Sequence, residues 1–358
     1  MTHLTDHYDT VRERNGYDRV DGPLDPPGAA HRRRFVAVDD PGVLERVRDR
    51  RTLVTTGVGM TGPPHLGTVG QIRTAVAFQR AGLDVQFVIA DLEPYHNGAP
   101  LERVRALAER YRAFVRDLGF DPDRGRLRTQ EEARDVMHTA QLLAPYYDPD
   151  SWADGGASTG DPPTEWERAV SDAYERADER RAADPVDEGR DPGFPGPTSE
   201  AADAHSAVLH GVDFLHPLYA GEYEQIVLSF GIDEHHLTRM ARRFRDAASV
   251  EGRIAGVYTR MIPGFDGAPK MSKSIPGSRV SLAMDEATIR ERIANDDGGD
   301  RDSSPVFQAM SLASDYDADR LERVVAACEA GGTEWVRARE AYAARVVELA
   351  ERWRATGE

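Results

Sequence analysis

Apolar positions along the chain follow two alternating rhythms. Residues 52 to 57, TLVTTG, make a short β-branched run, and the Gly/Pro-rich stretch behind it gives way to LGTVGQIRTAVAFQRAG, apolar every three to four positions. A second continuous run, VQFVIADL, precedes the amphipathic LERVRALAERYRAFVRDLG. Strand, helix, strand, helix at this spacing predicts an α/β fold with a parallel, Rossmann-like nucleotide-binding sheet, which takes ligands at the carboxyl ends of its strands. EQIVLSFGI predicts a further strand leading into a helix, HHLTRMARRFRDAA, and RIAGVYTRMI one more. From Met284 the periodicity is helical, ending in EWVRAREAYAARVVELAERWRA. The pattern divides the chain into an N-terminal extension (1–50), a Rossmann-like catalytic domain (51–283) and a C-terminal helical domain (284–358).

One segment breaks the rhythm. Residues 147 to 204 are rich in Pro, Gly, Asp and Ser, with a single helical stretch at EWERAVSDAYERADERRAA. Such a composition predicts an insertion peripheral to the chemistry, because it offers little apolar surface to bury. A helix over FLHPLYAGEYEQ is expected behind it.

Composition adds constraints. At 358 residues and 40% hydrophobic content a sizeable core is available. No stretch of eighteen apolar residues occurs and the first twenty residues are polar, which predicts a cytoplasmic protein with no membrane association. The single Cys328 excludes an internal disulfide, and no cysteine cluster has zinc spacing, so no metal site is expected. A net charge of −17 would argue against a nucleic-acid partner, yet arginines cluster locally in HRRRF and RMARRFRD. There are 43 arginines and only two lysines, Lys270 and Lys273, both within one five-residue stretch.

Three stretches carry candidate chemistry. TGVGMTGPPHLGT is a Gly-rich turn between strand and helix with His65 at the helix start, where unpaired N–H groups and the helix dipole favour an anionic phosphate. KMSKS, Lys270 to Ser274, lies between Gly/Pro-rich turns; a mobile loop with two ammonium groups can neutralise a departing pyrophosphate. Lysine suits moving contacts better than the planar guanidinium fork. In FGIDEHHLTRMARRF, Asp233 stands just beyond a strand end, where a carboxylate can accept hydrogen bonds from ribose hydroxyls.

An HxGx loop early in the sheet and KMSKS late resemble the two signatures of class I aminoacyl-tRNA synthetases. Within that class, GID followed by RMxR, the run from Lys270 to Leu282, TGxG before His65, and RRFVAVDD resemble the archaeal-type tryptophanyl branch of the tryptophanyl/tyrosyl subclass. ADLEPYHNG is more similar to archaeal tyrosyl members. The resemblance implies catalytic roles for His65, Lys270 and Lys273, and ATP contacts from Gly57, Gly59, Gly67, Thr68, Gly231, Asp233, Met271, Ser272 and Ser274. The backbone of Gly67 would hold phosphate, and that of Met271 the adenine edge. It also implies ATP with Mg²⁺ carried on it, tRNA and an aromatic amino acid as partners, and a homodimer. The C-terminal helices would bind tRNA, with Arg337, Arg345 and Arg352 on one helical face.

The amino-acid pocket departs from the resemblance. Thr55 stands where both branches have a tyrosine, and Val88 where tryptophanyl members have a glutamine; Thr68 replaces a second histidine. Leaving a buried donor unpaired costs about 1–3 kcal/mol. His216, Tyr219 and Glu93 are the nearest polar residues that could substitute, with Asp91 at the same strand end. Tryptophan is the expected substrate, with tyrosine or another amino acid as alternatives. A small nucleotidyltransferase shares the His-x-Gly loop but has no KMSKS, and a non-enzymatic paralogue would not need both lysines.

Overall fold

A computed structural model of the chain describes residues 4–20, 34–149, 163–183 and 199–357. The Pro/Gly-rich ends of the 147–204 segment and most of HRRRF lie outside the described residues. The apolar runs become β2 (Thr52–Gly59), β3 (Asp84–Ala90), β5 (Gln225–Gly231) and β6 (Arg253–Thr259) of a six-stranded sheet ordered β1-β6-β5-β2-β3-β4. Four of its five pairings are parallel; β1 (Phe35–Val38) runs antiparallel to β6 at one edge. β4 (Gly125–Thr129) closes the other edge.

From β2 the chain adds strands on one side, to β4, and then returns to place β5 on the other side of β2. The order therefore reverses between β2 and β5, and the carboxyl ends of these two neighbours open a crevice. Helix α3 (Leu66–Arg80) follows β2 after a loop, so its N-terminus points into that crevice. Gly57 keeps the strands close: a Cβ there would lie 2.5 Å from the carbonyl oxygen of Val88 on β3.

Between β3 and β5 the chain forms α4 (Leu92–His96), α5 (Leu101–Asp117), α6 (Arg134–Leu143), α7 (Glu165–Ala183) and α8 (Glu200–Tyr219), and α9 (His236–Ala247) follows β5. The N-terminal α1 (Leu4–Asn15) and the short α2 (Pro41–Leu44) complete the first half. Helix α7 coincides with the helical stretch read in the insertion. It does bury apolar surface, however: Trp166 is buried, its ring stacks on His7 of α1 at 4.2 Å, and both helices join Val36, Ile232, Tyr258 and Met261 in one apolar cluster. Trp166, with the buried Ala173 and Ala177, supplies burial that the average composition concealed.

The C-terminal half comprises α10 (Glu286–Ala294), α11 (Pro305–Ala313), α12 (Ala318–Ala330) and α13 (Gly332–Ala355). These helices share the main core with the sheet rather than forming a separate one: Met310, Val346 and Trp353 belong to the same cluster as Val54, Ile72 and Val85. Trp353 meets Tyr111 and Phe114 of α5 edge-on at 5.3 and 5.5 Å. Packing therefore does not divide at residue 284. Arg337, Arg345 and Arg352 do recur on one face of α13, but each pairs with an acid, Glu334, Asp315 and Asp117 respectively.

Candidate active site

His65 caps α3. Its Nδ1 accepts hydrogen bonds from the backbone N–H groups of Gly67 (3.0 Å) and Thr68 (3.3 Å), which leaves the neutral ring's proton on Nε2. Desolvation by surrounding protein, then the charges of Lys273 and Arg279, hold this imidazole well below its ordinary pKa, so it stays neutral. One expectation changes here: the Gly67 amide is committed to His65 instead of being held for phosphate. A Cβ at Gly67 would lie 2.8 Å from the imidazole, so the residue type serves the cap. The cap is joined to the lysine loop's far end, since Leu66 N–H donates to Val280 O and Leu282 N–H to Pro64 O.

A cavity of about 350 Å³ opens between this cap, the end of β5 and the lysine loop. It is lined by Gly57, Gly59, His65, Gly67, Thr68, Gly231, Asp233, Lys270, Met271, Ser272 and Lys273, residues that lie as far as 216 positions apart in sequence. Lys270 Nζ donates to Asp233 at 2.8 Å and Lys273 Nζ to the carbonyl of Gly59 at 3.1 Å. Burial opposes both charges of the first pair, but mutual attraction wins: Asp233 is held below the usual carboxylate range and Lys270 above the usual amine range. Met271 N–H donates to Ile262 O at 2.8 Å, so its amide is not free to meet an adenine edge. Ser274 does not line the cavity; its N–H donates to Ser272 Oγ inside the loop. Gln71, Thr74 and Arg260 also line it and were not singled out in the sequence, since nothing marks them locally.

A second cavity, about 410 Å³, adjoins the first and shares Gly57, Val58, Gly59 and Glu234 with it. Of the residues singled out for an amino-acid pocket, Val88 and Glu93 line it. The remaining candidates do not. Thr55 is buried beneath it, accepting from Gln86 Nε2 at 2.9 Å, and Asp91 accepts the backbone N–H groups of Gln130 and Glu131. His216 faces α6, between Thr139 (2.9 Å) and Asp135 (3.1 Å), and Tyr219 is 45% exposed at the end of α8.

The physical reason is helical phase. On α8 the cavity-lining residues are Asp203, Ser206, Ala207, Leu209, His210, Asp213 and Phe214, one face of the helix that positions 216 and 219 miss. The expected helix over FLHPLYAGEYEQ starts too late and runs too far: α8 begins at Glu200 and ends at Tyr219, before Gly221 at φ +68°. The polar groups of the cavity-lining face are Asp203, Ser206, His210 and Asp213, and the most deeply buried of them is Asp213. Its side chain is 3% exposed and accepts from Arg128 and Gln130, each at 2.7 Å, so its oxygens retain acceptor capacity towards the cavity. Phe214 and Phe230 supply apolar wall.

The comparisons with known proteins agree with this arrangement. A family model described as tRNA synthetases class I (W and Y) matches residues 48–150. A tryptophan--tRNA ligase of Pyrobaculum calidifontis is 24% identical over 292 residues, covering 77% of this chain and 68% of the relative. Among solved structures, tryptophanyl-tRNA synthetase from Aeropyrum pernix superposes with a TM-score of 0.67 at 21% identity, covering 98% of this chain and 94% of the other. Tyrosyl-tRNA synthetase from Archaeoglobus fulgidus gives 0.61 at 18% identity, covering 91% and 97%. A family model matching residues 48–150, archaeal relatives at 24% and 23% identity and a shared fold make the chain similar to class I tRNA synthetases of the W and Y type, and its HxGx and KMSKS stretches face one another across one crevice.

Proposed function

We propose that the protein is a tryptophan--tRNA ligase, activating tryptophan with Mg-ATP and passing it to tRNA. The observation that carries this reading is the pair of adjoining cavities, one rimmed by two lysines, His65 and Asp233, the other walled in part by Phe214 and Phe230 with the buried acceptor Asp213, meeting at Gly57, Val58, Gly59 and Glu234. Placed so, an amino-acid carboxylate in the second cavity faces the α-phosphate of ATP in the first. Attack forms the aminoacyl-adenylate and expels pyrophosphate, whose charge Lys270 and Lys273 neutralise while neutral His65 donates through Nε2–H. Mg²⁺ enters with the nucleotide. The terminal ribose hydroxyl of tRNA then attacks the activated carbonyl and AMP leaves. Positioning and charge stabilisation suffice, without a side-chain nucleophile. The protein acts in the cytoplasm as a homodimer in this reading, and among the described residues no helix is long and apolar enough to cross a membrane.

Asp213 replaces His216 and Tyr219 as the acceptor proposed for the indole N–H. An exchange assay tests the amino-acid assignment: ATP–pyrophosphate exchange is expected to favour tryptophan over phenylalanine, which lacks a polar hydrogen, by roughly 10–100-fold. Tyrosine and histidine complete the screen. Preference for a non-aromatic amino acid, or no exchange with these four, would defeat the tryptophan assignment.

Glu234 on the shared wall gives the site a pH dependence. Surrounding protein, then the charges of Asp233 and Glu93, push its carboxyl up to about 7. As pH rises through that value the carboxyl ionises and opposes the triphosphate, so KM for ATP is expected to rise. Glu234→Gln should flatten the profile; an ATP KM profile identical in parent and variant would exclude Glu234 from the nucleotide site.

A further inference from the structure

The insertion helix α7 reaches the lysine loop itself. Trp166 Nε1 donates to the carbonyl of Pro269 at 3.1 Å, and the Tyr174 hydroxyl lies 3.3 Å from Ser272 Oγ. These two contacts bracket Lys270 and Met271. The ammonium of Lys270 also sits 5.7 Å from the centre of the Tyr174 ring, within reach of a cation–π attraction. Flanking Tyr174, the buried Ala173 and Ala177 border a groove with Pro269, Ile275 and Pro276. Behind α7, the His7–Trp166 stack anchors the helix on α1.

The loop has reason to need such support. GFDGAPKMSKSIPGS carries three glycines, two prolines and few apolar anchors, so much of its order must come from outside. Its own backbone ties are the turns Gly264 N–H to Ala268 O, Gly267 N–H to Gly264 O and Ser278 N–H to Ile275 O, with Phe265 N–H to Ser278 O and Met271 N–H to Ile262 O at the base. We propose that α7 is a tether that holds the lysine loop over the nucleotide cavity, with Tyr174 as a positioning residue acting through Lys270 and Ser272. The inference rests on the synthetase reading above. Holding the loop near its working place removes part of the ordering cost at the moment pyrophosphate departs, so the tether acts on turnover more than on amino-acid binding.

The scarcity of lysine supplies a direct assay. Lysyl endopeptidase can cut this chain only after Lys270 and Lys273, so its cleavage rate on the full chain reports how often the loop opens. Tyr174→Ala is expected to raise that rate about tenfold and to lower the kcat of tryptophan-dependent exchange about tenfold, with the tryptophan KM within about twofold of the parent. Tyr174→Phe keeps the ring beside Lys270 and should restore both rates to within about threefold. Trp166→Phe, which removes only the bond to Pro269, should also speed cleavage and guards against misfolding of the alanine variant. Parent-like cleavage and turnover in Tyr174→Ala and Trp166→Phe would overturn the tether. If the parent protein fails to exchange with tryptophan, the functional reading fails instead, and the cleavage rates alone still decide the tether.

Discussion

Replacing Lys270 and Lys273 together by alanine is expected to lower the rate of ATP–pyrophosphate exchange by about 10²–10³-fold while KM for tryptophan stays within about twofold. Both ammonium groups face the nucleotide cavity, one at 2.8 Å from Asp233 and the other at 3.1 Å from the Gly59 carbonyl, and neither lines the amino-acid cavity. Their positive charge matters most when pyrophosphate separates, which places the loss in the transition state. Arginine should rescue poorly. At position 270 a guanidinium, larger and planar, would have to share Asp233, the ring of Tyr174 and a moving phosphate, whereas lysine presents a compact charge on a flexible stem. Exchange at the parent rate by the double alanine variant would remove the loop from the chemistry.

Asp213→Ala is expected to destabilise the fold by about 3–5 kcal/mol and to abolish selectivity for an aromatic amino acid with a polar hydrogen. The carboxylate is the partner of Arg128, whose side chain is only 15% exposed, and of Gln130. Removing it strands a cation left with only the neutral acceptors Gln86 and the Thr129 carbonyl, and it removes a buried carboxylate acceptor from the cavity wall. Two variants separate these effects. Asp213→Leu combined with Arg128→Met leaves no uncompensated charge and should recover most of the stability without the selectivity. Urea unfolding and the four-amino-acid exchange screen read the two consequences independently. An alanine variant as stable and selective as the parent would show that Asp213 is neither a structural partner nor a pocket residue.

What the sequence revealed of this site follows burial and locality. β2, β3, β5 and β6 were legible because a central parallel strand is buried on both faces and reads as a continuous apolar run. β4, GRLRT, was not: its Arg126 and Arg128 answer to Glu222 and Asp213, partners on a later helix and turn that no local pattern announces. β1 is four residues long and takes its identity from pairing with β6. The residues of the cavity beside the lysine loop were legible because they sit in short stretches where glycine, histidine and lysine are conspicuous. The amino-acid cavity was harder, because it is a helical stripe. Beginning α8 at Phe214 instead of Glu200 lost the phase, which pointed to His216 and Tyr219 and passed over Asp213. Likewise, the acidic, Pro/Gly-rich average of residues 147–204 hid Trp166 and Tyr174, whose significance depends on a loop a hundred residues further on.

The most direct measurement is the attachment of tryptophan to tRNA by the intact chain, with AMP and pyrophosphate followed in the same reaction. A tryptophan--tRNA ligase should accumulate tryptophan on the terminal ribose of tRNA, releasing one AMP for each amino acid attached. Exchange of pyrophosphate with tryptophan but no charged tRNA would contradict the proposed function, leaving an adenylate-forming enzyme whose acceptor is not tRNA.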